Sequence, residues 1–138
     1  MRGILFRGKR VDNGEWVEGS LIKGSEEYLI LCDQWDYGFV FERFAHGVIP
    51  TTVGQFTGIL DKKGVKIFEG DILVDALREQ DTRKFLVQWD IKCSRFLAVT
   101  KPLELGPRDD RYLWYVGEEL SKNGLIIGNI YDNPELTL

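Results

Sequence analysis

Apolar and polar positions alternate over short distances along this chain. Runs rich in Val, Ile, Phe, Tyr and Trp are cut at close intervals by Gly, Asp, Asn and Pro. That pattern predicts many short strands joined by tight turns. Strands are expected near Gly3–Arg7, Glu15–Lys23, Glu27–Cys32, Phe39–Phe44, Thr52–Leu60, Lys66–Phe68, Asp71–Asp75, Lys84–Asp90, Arg95–Thr100, Arg111–Val116 and Leu125–Tyr131. The clearest alternation is Lys84–Asp90. Phe85, Val87 and Trp89 share one face there, and Lys84, Gln88 and Asp90 the other, with Leu86 the exception. Tyr112–Val116 and Leu125–Ile127 are apolar on both faces, which implies cover on both sides by a second sheet, by barrel closure or by a partner subunit.

Helical periodicity is thin. Within Ala76–Arg83 the apolar residues are Ala76 and Leu77, so a hairpin excursion is expected there. Gly117–Gly124 is the best helical turn, with Glu118 and Glu119 at its start and a glycine close behind its end. The fold class expected is mainly β: a single twisted antiparallel sheet or barrel-like domain with one or two short helical segments. Lys101–Arg111, with Pro102, Gly106 and Pro107, is expected to be a surface loop within one domain spanning 1–138, since the segment beyond it is too short to fold alone.

Turn chemistry gives the sharpest local expectations. In Asp61-Lys62-Lys63-Gly64 the aspartate can cap the turn and the glycine can take positive φ. Glu69-Gly70-Asp71 predicts a second sharp reversal. Gly54 and Gly128 fall inside strand patterns, where a glycine marks a bulge or a close backbone approach. Pro134 is expected to end the last strand's pairing.

Length and composition then narrow the class. A chain of 138 residues fits one ordinary domain, and 43% apolar with 29% charged residues is a globular, not a disordered, balance. Stretches such as Leu29-Ile30-Leu31 are too short to cross a bilayer. Charges at Lys9, Arg10 and Asp12 leave no apolar signal region, so a cytoplasmic protein without membrane contact is expected. The net charge of −4 counts against nonspecific nucleic-acid binding. Cys32 and Cys93 are expected to be thiols, although sequence alone leaves a disulfide open. With one histidine they are too few, and wrongly spaced, for structural zinc.

Candidate chemistry is sparse. Nucleophilic catalysis needs a base beside Ser, Thr or Cys, and the lone His46 before Gly47 is expected to be a turn residue. Asp109-Asp110 and Glu118-Glu119 are adjacent carboxylates that point apart on a strand, while Glu69 and Asp71 flank a turn glycine and suit capping better than acid–base work. Gly54 and Gly58 lack the helix that a phosphate cradle requires. No catalytic, cofactor-binding or metal-binding residues are therefore expected.

Binding surfaces remain. Lys62, Lys63 and Lys66 gather in one place, and Arg78, Arg83, Lys92 and Arg95 in another. With Trp89 or Phe96 alongside, these cations could stack bases, but Glu79, Asp81 and Asp90 interleave with them and favour a solvated charged face. Trp35, Asp36 and Tyr37 form an aromatic–acidic tip, a contact patch if exposed and core if buried.

Several segments together carry a resemblance. Val53–Gly64 running into Ile67-Phe68-Glu69-Gly70-Asp71-Ile72, and Ile127–Leu136 at the end, are similar to the signature and closing motifs of the YopX-type phage and prophage proteins. Phe6-Arg7-Gly8-Lys9, Gly14-Glu15-Trp16-Val17 and Val87-Gln88-Trp89-Asp90 fit the same family, while Asp33–His46 and Pro102–Asp110 match no family pattern. The resemblance implies a β-rich, single-domain, phage- or prophage-encoded protein without an established activity, and it brings no catalytic residues with it. The leading expectation is a non-enzymatic accessory protein working through protein–protein contacts with itself, as a homo-oligomer, or with a host or phage protein. A nucleic-acid-binding module with an SH3-like β core is the alternative, by fold-level analogy, and a cryptic hydrolase the third.

Overall fold

The computed structural model describes residues 3–32, 44–100 and 113–137. Among them the short branched and aromatic runs form antiparallel strands in two sheets, with one short α-helix. The chain divides into two compact units, Met1–Phe56 and Thr57–Leu138.

The first unit contains β1 (Phe6–Lys9), β2 (Trp16–Lys23), β3 (Tyr28–Leu31), β4 (Ala45–Val48) and the start of β5 (Gly54–Leu60). Their order is β4-β3-β2-β1-β5. The β3–β4 register sets Ile30 against His46 and Tyr28 against Val48, so these four side chains share a face. Ile30 and Val48 are its fully buried members. The sheet curls until the tail of β1 touches β4 at one isolated bridge, Arg10 to Val48. The Val11 amide donates to the Gly47 carbonyl at 2.9 Å and the Ile49 amide to the Lys9 carbonyl at 2.8 Å. One bridge is a touching point rather than a ladder, and the barrel stays unclosed.

The second unit holds the rest of β5 beside β6 (Lys66–Phe68). It also holds a five-stranded sheet ordered β10-β9-β8-β7-β11. Its strands are β7 (Asp71–Asp75), β8 (Phe85–Asp90), β9 (Arg95–Val99), β10 (Leu113–Tyr115) and β11 (Gly124–Asn129), with helix α1 (Glu118–Asn123) before β11. One face of this sheet buries Leu73, Phe85, Val87 and Ala98 with Ile67 and Leu120, and Trp114 packs edge-on against Phe85. The other face is also apolar: Leu86, Leu97 and Val99 are buried. Strands hydrophobic on both faces are expected to be covered on both sides. That explains why Leu86 broke the alternation of Lys84–Asp90.

Two buried aspartates fold the turns. Asp61 accepts the Lys63 and Val65 amides on Oδ1, both at 2.9 Å, and the Ile126 amide on Oδ2 at 3.2 Å. Gly64 takes φ +81° in the same turn. Asp71 accepts the Phe68 amide at 2.8 Å around Gly70, whose φ is +89°. A Cβ at Gly70 would lie 2.9 Å from the Tyr131 ring, so conformation and space both demand glycine. Both predicted reversals are present, and β7 and β8 pair as the hairpin expected across Ala76–Arg83.

Other expectations shift. The Phe39–Phe44 strand falls outside the described residues save for Phe44; the strand in this region is β4, which places His46 on a ladder rather than in a turn. Thr52 belongs to a 3-10 turn over Pro50–Thr52, and β5 begins at Gly54 with an unshifted register to Arg7 and no bulge. At Gly128 the predicted bulge is present, between Ile126 and Gly128. β11 stops at Asn129 rather than Tyr131 because Asn129 Oδ1 accepts the Tyr131 and Asp132 amides at 3.0 and 2.9 Å, turning the chain. Pro134 then opens a 3-10 turn, Pro134–Leu136. Helix α1 forms where Gly117–Gly124 predicted it, but Gly124 has φ −78° and is no left-handed cap. It is glycine because a Cβ would come within 2.6 Å of the Leu120 carbonyl oxygen. A single sheet is replaced by two.

Candidate functional site

His46 stands in β4 on the face that Ile30 and Val48 bury. The Cys32 amide donates to the Phe44 carbonyl at 2.9 Å, so Cys32 continues β3 on that same face, one diagonal step from His46. Cysteine and histidine, distant in sequence, are thus neighbours, which sequence reasoning left open. Register alone does not supply the thiol–imidazole hydrogen bond that nucleophilic activation needs. Cys32 and Cys93 are both thiols.

Two of the candidate carboxylates, Glu118 and Asp71, are engaged elsewhere. Glu118 and Glu119 lie in the first turn of α1, not on a strand, and Glu118 pairs with Lys122 one turn later at 2.9 Å. Asp71 serves its turn. Asp109, Asp110, Trp35, Asp36 and Tyr37 lie outside the described residues. No group of three or more His, Cys, Asp or Glu able to hold a metal occurs among the described residues.

The basic residues divide between elements. Lys62 and Lys63 project from the β5–β6 turn and Lys66 begins β6. Arg78 and Arg83 belong to the β7–β8 connection, where Arg83 grips Asp81 through Nε at 2.9 Å and Nη2 at 2.7 Å. These charge-assisted bonds hold the Asp81 carboxyl at about 2, down from 3.8. In the first unit the Arg10 guanidinium likewise lowers the Asp12 carboxyl below its usual range. Lys92 and Arg95 are the two cations on the β8–β9 hairpin.

That hairpin end carries the most distinctive surface. Trp89 and Phe96 face each other across β8 and β9, their rings 4.9 Å apart and nearly perpendicular. Trp89 remains 46% exposed, although its strand-mates Phe85 and Val87 are buried. It shares their face but lies past the end of the core. On the opposite face the Arg95 guanidinium stacks 4.0 Å from the Tyr115 ring, and Tyr115 is 51% exposed. Between the strands, Ile91-Lys92-Cys93-Ser94 makes the tip, with Ser94 in the left-handed region at φ 51°. The buried Asp90 carboxylate steadies it by accepting the Lys92 amide at 3.1 Å. Ile91 crowns the turn at 83% exposure.

The result is a blade with an aromatic pair on one side, an arginine–tyrosine stack on the other and an isoleucine at its edge. Trp, Tyr and Arg are the side chains that most often dominate binding energies between proteins. Of the group read from sequence, Lys92 and Arg95 lie here with Trp89 and Phe96, whereas Arg78 and Arg83 lie on the β7–β8 connection. Ile91 and Tyr115 were not part of that group; an isoleucine inside a polar hairpin tip was the available signal.

The family model described as YopX protein matches residues 5–137. Among curated proteins, none matches the chain. The crystal structure of protein EF1440 from Enterococcus faecalis resembles it over 100% of both chains, with a TM-score of 0.62 and 24% identity. At that identity the likeness speaks to the fold alone.

Proposed function

The chain belongs to the YopX family, and from that premise we propose that it is a non-enzymatic phage or prophage accessory protein acting through protein–protein contacts, first with further copies of itself. What supports this is the exposed blade of Trp89, Ile91, Arg95 and Tyr115. Exposed single hydrophobics are ordinary. A tryptophan, an isoleucine and an arginine-capped tyrosine at one strand end form instead the kind of cluster that interfaces bury.

Sedimentation velocity of the wild type, Trp89→Ala and Ile91→Ser tests it, with circular dichroism checking that each variant keeps its fold. An oligomeric wild type is expected, with self-association weakened about 30-fold by Trp89→Ala, the effect of one strong anchor. A wild type that stays monomeric at high concentration, or folded variants that associate as before, would remove the proposal.

A second reading, nucleic-acid binding, draws on Lys92 and Arg95 beside the three rings. Net charge opposes it. Its signature is an affinity that drops steeply with salt, and a flat titration at low salt ends it.

A further inference from the structure

A second exposed apolar surface lies on the sheet of the first unit, on the face opposite the buried Ile30 and Val48. There the register sets Ile22 against Leu29 and Leu29 against Gly47. Val11 lies beside Gly47, to whose carbonyl its amide donates, and Ile49 points to the same side because Val48 before it points inward. Ile22 and Ile49 are exposed, and Val11 is 67% exposed. Single exposed hydrophobics are ordinary, but three along one row are a patch. The row dips at its centre: a Cβ on Gly47 would come no closer than 3.9 Å to the Leu29 side chain. Glu27, just before β3, alternates onto the same face as Leu29 and is exposed. Among the described residues no cation pairs with its carboxylate.

The β8–β9 blade has the complementary chemistry. Ile91 stands out at its tip, and Lys92 and Arg95 beside it are exposed cations. Among the described residues no carboxylate pairs with either. Asp90, the carboxylate of this hairpin, is buried. A blade meeting a second blade would therefore set cations against cations. Arg95 is more than a solvated charge, because the Tyr115 ring holds its guanidinium. A guanidinium held by its face keeps its in-plane N–H donors for a carboxylate.

We propose that the blade of one copy seats on this face of a second copy, with Ile91 over Gly47 among Ile22, Val11 and Ile49, and with Arg95 on the Glu27 carboxylate. The inference rests on the self-association described above and adds its orientation: the two surfaces in contact are different ones. Apolar area meets apolar area, and the unpaired cation meets the unpaired acid.

The test is sedimentation velocity of the full chain as wild type, Val11→Lys, Glu27→Arg, Arg95→Glu and the double reversal Glu27→Arg with Arg95→Glu. All three positions are exposed, and circular dichroism checks that each variant keeps its fold. Val11→Lys and each single reversal are expected to weaken association about ten-fold, since each sets like charges together where the contact was apolar or attractive. The double reversal is expected to return to within about three-fold of wild type, because the pair is restored with its ends exchanged. Association of Val11→Lys and Glu27→Arg equal to wild type is the mark of blade meeting blade. It would overturn this orientation, while a loss in Trp89→Ala would leave the self-association reading standing. A double reversal no better than the single ones would overturn it as well. A wild type that stays monomeric, whatever other protein it captures, removes both.

Discussion

Replacing Asp61 by alanine takes the shared acceptor away from three backbone amides, those of Lys63, Val65 and Ile126. Hydrogen bonds to a charged group are worth about 1.5–3 kcal/mol each, but water recovers much of that where the donor is exposed. Lys63 and Val65 are exposed, so about 0.5–1 kcal/mol apiece is the reasonable loss. Ile126 is half-buried in β11 and contributes about 1–2 kcal/mol. The total is about 2–4 kcal/mol. With a urea dependence near 2 kcal/mol per molar, the unfolding midpoint falls by about 1–2 M.

Asp61→Asn separates the components. Its carbonyl oxygen can keep the Lys63 and Val65 amides, but its NH₂ group then faces the Ile126 amide, donor against donor. The Asn variant is therefore expected to lose about half as much as the Ala variant. In hydrogen exchange, the Ile126 amide should lose protection while those of Lys63 and Val65 hold theirs. A midpoint for Asp61→Ala indistinguishable from wild type, or an Ile126 amide equally protected in all three proteins, would refute this account of the turn.

Two further outcomes are expected. Gly70→Ala must place a Cβ at φ +89° and 2.9 Å from the Tyr131 ring; the cost is about 2–4 kcal/mol by denaturant titration, whereas a variant as stable as wild type would show that the β6–β7 turn relaxes freely. Asp81, with its carboxyl lowered from 3.8 to about 2 by Arg83, adds stability that is complete above pH 4 and is lost as pH falls through 2. Wild type and Asp81→Asn should accordingly differ in urea midpoint at pH 5 and converge near pH 2, the gap narrowing with added salt because Arg83 is partly exposed.

Strands with a strong pattern of their own were legible. β8 and β9 carry branched and aromatic residues in sufficient density to declare themselves, and Asp61 and Gly70 announced their turns by residue type. β4 did not, because Ala45-His46-Gly47-Val48 has little strand propensity. It is a strand because β3 on one side and the tail of β1 on the other offer hydrogen bonds to it. The end of β11 was misplaced for a local reason: Ile130 and Tyr131 look like strand, but the Asn129 side chain captures the amides that would have continued the ladder. Gly124 was legible as the glycine behind the helix, but the reason for it was not, since contact with the Leu120 carbonyl depends on how the helix leads into its own strand. At the hairpin end, Lys92 and Arg95 were grouped from sequence with Trp89 and Phe96, but so were Arg78 and Arg83, which the β7–β8 connection carries elsewhere, and exposure was not legible. Tyr112–Val116 reads as covered on both faces, and only the position of β10 at the end of the sheet order leaves Tyr115 half in water.

The single bridge between Arg10 and Val48 has a bearing on how such molecules meet. A terminal strand usually offers a row of open amides and carbonyls onto which a foreign chain can zip, the common beginning of fibrous aggregation. Along Gly47–Ile49 that row is already occupied from within, by Lys9 and Val11. An incoming extended segment finds nothing there to pair with, and association at this border is left to side chains.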